Sequence, residues 1–510
     1  MNGPSGVPDL VPPRPPRRWR LRIAVSLVTV AALVWGSLEF YDYAFVRCAD
    51  GVRERGPREE CVGVSDGSYP FDDKRLGSLM DRIRRENERV GKSGDPWVAL
   101  AYFEPMTLGT GDKGWKSIEE ELQGAHLAQL ELNDPAFGHG DAPQIKLLPA
   151  NPGHGSRQWR PLVEQIAGMT DGDHPVVAVA GFGQSLGTTR AAVEWLRARD
   201  IPMVGSTVTA DELSDPRERG FFRAVPPNAD ETSAVVKHLR ARQRKEKDFT
   251  VQVVKDRNQE DIYSASLLDG FTRAARRAGL RLDSADFEFM SRMGGVSNAL
   301  ATLADRMCRQ AELPDAVYFA GRGRDLRGFI ESAAAGWRRC PVDIYTGDDA
   351  VGMFFDFPWE NEPEELRRFR ENWRASEITV RYTALAHPEA APEMYPGEKN
   401  NAYENFRQHY ARVFGGAGRL LNGQAMLGHD AVLVAGTAIR RAARPAGKGL
   451  VTAETVQQML GQVSETDAVR GAAGPVDFDE AGNPEGKPLP LVELRPDDQD
   501  GYRYLRVLKP

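Results

Sequence analysis

The chain has little cysteine, no excess of positive charge and almost no long apolar runs. Lysine and arginine number 66 against 73 aspartate and glutamate, a net charge of −7, so nothing global points to nucleic acid. The four cysteines form no C-x-x-C pair and no Cys/His cluster, which excludes a zinc site of the usual spacing, and no metal is expected. Only Ile23–Leu38 is apolar over enough length to suggest a membrane. No A-x-A cleavage motif follows it, and the tail before it is too short for a kinase or cyclase.

What is there begins with that tail. Residues 1–22 are proline-rich and carry Arg14, Arg17, Arg18, Arg20 and Arg22, a composition expected to be disordered and to stay cytoplasmic. The apolar run, flanked by Trp19, Trp35, Phe40 and Tyr41, predicts a single-pass signal anchor over 23–41. A cleaved signal peptide is the alternative. The rest of the chain is then expected outside the cytoplasm, at the cell membrane. In that compartment Cys48, Cys61, Cys308 and Cys340 are expected in structural disulfides, with 48–61 and 308–340 one of three possible connectivities.

From Trp97 onward, strand-like and helix-like stretches alternate: WVALAYFEPM, KSIEEELQGAHLAQLEL, QIKLLPAN and QWRPLVEQIAGM. The third unit, PVVAVAGFGQSLGTTRAAVEWL (175–196), is the clearest. Val176–Val179 reads as a strand buried on both faces, and Gly181-Phe-Gly183-Gln-Ser185-Leu-Gly187 as a turn into a helix. Ser185, Thr188 and Thr189 are placed to cap that helix, whose first turn suits an anionic group. Such βαβ units build a parallel sheet, and ligands collect at its carboxyl edge. The loops Glu104–Thr110, Gly181–Thr189 and Gly205–Thr209 should therefore face one crevice. Gly183-x-Ser185-x-Gly187 also fits a hydrolase nucleophile elbow, with His409 or His429 as partner, and Gly181-x-Gly183 a dinucleotide turn. Neither has a second supporting motif, so no cofactor and no catalytic residue is assigned.

After FFRAVPPNADET (221–232) a second alternating series runs to VDIYTGDDAVGM. Two such series imply two lobes with a cleft between them. Glu360–Arg374 reads as a solvated charged helix, and TAETVQQML as a helix capped by Thr452.

Four segments carry a family resemblance: FFRAVPPNADE, Asp256…Tyr263-Ser…Leu-Asp-Gly-Phe271, GHDAVLVAGTAI and VRGAAGPVDFDEAGNPEGKPLPLVEL. From Trp97 the chain resembles the leucine/isoleucine/valine-type substrate-binding proteins of ATP-driven (ABC) importers. The resemblance implies an α/β, two-lobed type 1 periplasmic-binding-protein fold, two parallel-sheet βα lobes around a central cleft, here preceded by one transmembrane helix. It implies lobe 1 at 96–224 and 376–472, and lobe 2 at 225–375 and 473–510, after a juxtamembrane segment at 42–95 bearing Cys48 and Cys61. Hinges are expected near 222–227, 376–383 and 472–475.

By the same resemblance, Ser185 and the loop Ser206–Thr209, with Ser206, Thr207 and Thr209, lie where a ligand carboxylate is held. Gly183 and Thr188 beside Ser185, and Glu104 on its crevice-facing loop, complete the expected ligand-binding set. Tyr263 is either a ligand aromatic or a packing residue. Asp348, with Asp349, either binds an ammonium or only makes a turn. Arg322, in Gly321-Arg322-Gly323-Arg324, departs from the family and is either a salt-bridge partner or a second anion contact. The expected function is capture of a small amino-acid-like or other anionic ligand for ABC transporter membrane subunits, without catalysis. The alternatives are a sensory ectodomain signalling through a membrane partner, and a serine hydrolase using Ser185.

Overall fold

The computed structural model describes residues 17–41, 47–109, 112–137, 143–292, 294–336, 339–354, 363–416, 420–446, 451–497 and 501–510. Two sheets organise them. The first holds β1 (Arg47–Ala49), β2 (Val52–Arg55), β3 (Glu60–Val64), β4 (Trp97–Phe103), β5 (Gln144–Asn151), β6 (Val176–Gly181), β7 (Met203–Gly205) and β8 (Phe221–Arg223), in the order β1-β2-β3-β5-β4-β6-β7-β8. From β5 to β8 neighbouring strands run parallel, as apolar strands buried on both faces require. Helices α2 (Asp73–Lys92), α3 (Trp115–Asn133), α4 (Trp159–Ala167) and α5 (Gly187–Arg197) flank this sheet.

The second sheet runs β10 (Phe287–Phe289), β9 (Val251–Asp256), β11 (Ala316–Ala320), β12 (Asp343–Thr346), β13 (Thr379–Thr383), β16 (Leu489–Leu494) and β17 (Tyr502–Leu508). It is covered by α6 (Asn228–Gln243), α7 (Ile262–Ala278), α8 (Val296–Cys308), α9 (Gly323–Gly336) and α10 (Pro363–Ser376). The short α11 (Ala391–Met394), then α12 (Ala402–Phe414), α13 (Gln424–Ala446), α14 (Ala453–Leu460) and the hairpin β14 (Val469–Gly471)–β15 (Gly474–Val476) complete the chain.

The lobe boundaries differ from expectation in three places. The segment 42–95 is not separate within its described residues: β3 pairs with β5, and Leu76, Leu79, Met80 and Ile83 of α2 enter the first lobe's core. Its short, charged strands gave no alternating signal. Strand β13 pairs with β12, so the chain returns to lobe 1 after Thr383 and not at 376. Phe478 packs in lobe 1 while Leu489 starts β16 in lobe 2, so the last crossover lies beyond 478 and not at 472–475. β15 and β16 do not pair with each other; they pair with β14 and with β13 and β17.

The helix Glu360–Arg374, read as solvated, is observed as α10 over Pro363–Ser376, and it buries Phe369 and Trp373. Thr452 caps α14 in a capping box. Both disulfides are local, Cys48–Cys61 joining β1 to β3 and Cys308–Cys340 joining the end of α8 to the approach to β12. Residues 17–41 form the 25-residue helix α1. Among the described residues no helix is long and apolar enough to cross a membrane. The expected anchor falls partly outside them, since the side chains at 32–34 and 36–41 are not described.

One packing detail positions the site. Helices α3 and α13 cross at glycine: a Cβ on Gly124 would lie 1.8 Å from the Ala425 carbonyl oxygen, and one on Gly428 2.0 Å from that of Glu121. Only glycine permits this approach, which brings Glu121 and Gln424 to the same end of lobe 1.

Candidate functional site

The cleft lies between the carboxyl ends of the two parallel sheets. In lobe 1 the chain leaves β6 through Gly181, Phe182 and Gly183, all with positive φ, and then enters α5. Gly183, Gln184, Ser185 and Thr207 line the cleft with Lys113, Ser117 and Gln424. Tyr263, Arg322, Asp348, Asp349, Val351 and Gly352 line it from lobe 2. The lobes touch, leaving about 40 Å³ of free space, room for about three waters. Contacts that span the gap include Arg322 Nη2 donating to the Ser185 carbonyl at 2.8 Å and Thr209 Oγ1 to Asp348 at 3.4 Å, and beside it the Asp211 N–H donates to Ser266 at 3.0 Å.

Several expected ligand groups are already engaged. The Ser185 hydroxyl oxygen accepts from the Thr209 and Ala210 N–H groups at 3.0 and 3.2 Å, so it knots two loops together. Thr188 donates to the Gly155 carbonyl and Thr189 to that of Gln184, so neither caps α5. The N-cap position is Leu186, and the first turn of α5 has no side-chain cap. Ser206 donates to Glu121, with the Gly181 carbonyl 3.1 Å from the same hydroxyl, beneath the cleft. Thr207, on the cleft wall, donates to the Gly183 carbonyl at 2.5 Å.

Arg322 is not a free anion contact. Its guanidinium makes a double contact with Asp261 at 2.9 and 2.6 Å and reaches Asp349 at 3.1 Å, stacked 4.6 Å over the Tyr263 ring. Burial alone would raise the Asp261 carboxyl, yet the adjacent Arg322 holds it below the usual range. The Tyr263 hydroxyl accepts from the Asp349 N–H at 3.0 Å, so this ring both packs and orders the Asp348-Asp349 turn. Asp348 is pushed up to about 7, by burial first and by Asp349 second. Glu231, at the start of α6, is raised well above its ordinary range by burial and by Asp348. The repulsion between these two carboxyls disfavours ionising both at once.

Below the lobe-1 wall lies a second charged group. Lys113 Nζ is 2.9 Å from Glu104 Oε1 and also contacts Glu121, and both carboxylates are fully buried. Tyr102 donates to Glu121 at 2.8 Å. Burial, then Glu121, raises Glu104 to about 8. Sequence reasoning missed Lys113, Asp261, Glu231 and Gln424. Lys113 sits in a glycine-rich loop with no periodic signal, and the others become site residues only through tertiary packing.

The hydrolase reading finds no support here. Ser185 keeps ordinary negative φ, whereas an elbow serine sits on the strained turn. His429 uses both ring nitrogens on Glu131 and Asp430, and His409 uses Nδ1 on Glu131.

Solved structures share this architecture. A leucine-binding protein from Thermotoga maritima superposes with a TM-score of 0.56 at 18% identity, covering 81% of this chain and 99% of that one. The type 1 periplasmic-binding-protein fold is present. A branched-chain amino acid transporter substrate-binding protein from Streptococcus pneumoniae, in complex with isoleucine, gives 0.56 at 16% identity over 81% and 100%. A fatty acid ABC transporter substrate-binding protein from Thermomonospora curvata gives 0.55 at 14% over 81% and 92%. No family model matches the chain, and no curated protein matches it. The periplasmic-binding-protein-like fold is thus carried by architecture, at identities where sequence alone says little.

Proposed function

We propose that this protein is a membrane-anchored, extracytoplasmic solute-binding protein that closes two lobes over a small ligand for an ABC-type importer. The observation carrying this reading is the convergence of buried polar groups from both lobes on one cleft, with direct contacts across it. A ligand that touches both walls lowers the energy of the closed form relative to the open one, so binding and closure are one equilibrium. The space left between the lobes is far below the ~300 Å³ of ordinary small-molecule sites, so the ligand enters when the lobes part. Lobe 2 presents Asp348, with Asp349 paired to Arg322, and lobe 1 presents Lys113 and the uncapped turn of α5. This polarity fits a zwitterion, with its ammonium on lobe 2. The solved neighbours are named for transport and binding, which favours an importer over a sensor.

Calorimetry tests the site. Asp348→Asn should weaken an amino acid ligand by about ten- to a hundred-fold, the worth of one hydrogen bond to a charged group. Equal affinity in wild type and variant would put the ligand elsewhere. For the anchor, the full-length chain should stay with membranes through an alkaline wash. Its release as a protein beginning near Cys48 would show instead a cleaved signal.

A further inference from the structure

The cleft wall is polar where an aliphatic ligand would need apolar cover. Among the described residues Val351 is its single aliphatic side chain, and Lys113, Ser117, Gln184 and Gln424 face it from lobe 1. A leucine-like side chain there would bury polar groups without partners, which a site rejects strongly. Beneath this wall, Glu104 is fully buried, and its Oε2 has no hydrogen-bond partner among the described residues. That oxygen would lie 3.4 Å from a Cβ on Gly183, a cleft-lining glycine. Lys113 bridges Glu104 to Glu121 while lining the cleft itself.

We infer that Lys113 and Glu104 form a second recognition point on lobe 1, which takes an anionic group of the ligand's side chain. The ligand class is then an acidic amino acid, with its ammonium on the Asp348–Asp349 side. This inference rests on the solute-binding reading above. The groups facing Glu104 are Lys113 and Asp112 in its loop, Glu121 on α3 and, through Glu121, Tyr102 on β4. Because burial and Glu121 keep it protonated at neutral pH, Glu104 has an O–H to donate to an anion beside the Lys113 ammonium. A cationic side chain would require the opposite, an ionised Glu104.

The test is calorimetry on the full chain in detergent, with L-glutamate, L-aspartate, L-leucine and L-lysine at pH 7 and pH 9. Glutamate or aspartate should bind at least ~100-fold tighter than leucine. That affinity should fall roughly tenfold at pH 9, as the protonated fraction of Glu104 falls. Glu104→Gln should remove the alkaline fall. The double variant Lys113→Met/Glu121→Gln, which removes both charges of the buried pair and so keeps the fold, should weaken glutamate by roughly ten- to a hundred-fold. Leucine binding tighter than glutamate, or lysine preferred with affinity rising at pH 9, would overturn this inference and leave solute capture standing. Failure of all four probes to bind folded wild type would overturn both.

Discussion

Arg322→Met should destabilise the protein by about 3–5 kcal/mol, because it strands two carboxylates that now share one guanidinium. Asp261 is buried and takes two of its contacts, while Asp349 takes a third. The fourth goes to the Ser185 carbonyl of lobe 1, so the variant also loses a link across the cleft. Adding Asp261→Asn should recover much of the loss, since the more deeply buried of the two stranded carboxylates then carries no charge and only Asp349 is left. The sign with pH follows from Asp261, whose carboxyl lies below its ordinary 3.8 in the folded wild type. Its stabilising contribution is present above 3.8 and disappears as pH falls through the lower folded value. The difference between wild type and Arg322→Met should therefore shrink in acid. Urea unfolding of both proteins at pH 7 and pH 3 measures this; an equal difference at the two values would refute the assignment.

His429→Leu is expected to cost as much, about 3–5 kcal/mol, at a place remote from the ligand's chemistry. His429 sits fully buried between Glu131 at 2.8 Å and Asp430 at 2.9 Å, and His409 holds the other Glu131 oxygen. Asp430 in turn accepts the Ala472 and Ala473 N–H groups, so the cluster ties α3, α12 and α13 to the β14–β15 turn. Burial would lower His429, yet Glu131 and Asp430 raise it from 6.5 to about 10. Its contribution is complete below pH 6.5 and is lost as pH rises through about 10. Glu131, lowered from 4.5 to about 2 by the same histidines against its burial, contributes fully above 4.5 and loses that as pH falls through about 2. The pair is therefore worth most between pH 4.5 and 6.5. A denaturant midpoint that declines from pH 6.5 to 10 in wild type but stays flatter in His429→Leu is the expected result. A variant within 1 kcal/mol of wild type would show the cluster is dispensable.

The sequence pattern carried the two-lobed α/β architecture because its signals are strong and local. WVALAYF, QIKLLPAN and VVAVAG are apolar runs too short for buried helices, and each became a strand of the first sheet. Their order along the chain placed Glu104, Gly183 and Thr207 at one edge without further information. The stretch that forms β13 falls within the 376–472 range expected for lobe 1 but pairs with β12 of lobe 2, because a strand's own residues do not name its partner. β1 to β3 went unread, as RERG and PREEC look like charged loop until Cys48–Cys61 and the pairing of β3 with β5 hold them. At the site, residue type pointed to Ser185 and Thr188, whose oxygens are committed to neighbouring backbone. Thr209 and Asp348 do meet across the cleft. What Lys113 and Glu231 do depends on burial and on facing charges, which spacing along a chain does not encode.

The claim that two lobes close on a small ligand is tested most directly by the distance between them. Native cysteines of the described residues are paired, so spin labels at Glu194→Cys on α5 and Asp269→Cys on α7, both exposed, report on lobe 1 and lobe 2 separately. Pulsed electron-paramagnetic-resonance distances on the full chain in detergent should contain a longer, open population that millimolar L-glutamate shifts to the shorter, closed one. In Asp348→Asn the same shift should need roughly ten- to a hundred-fold more glutamate. A single distance distribution that none of the twenty amino acids alters would contradict capture of an amino acid by lobe closure.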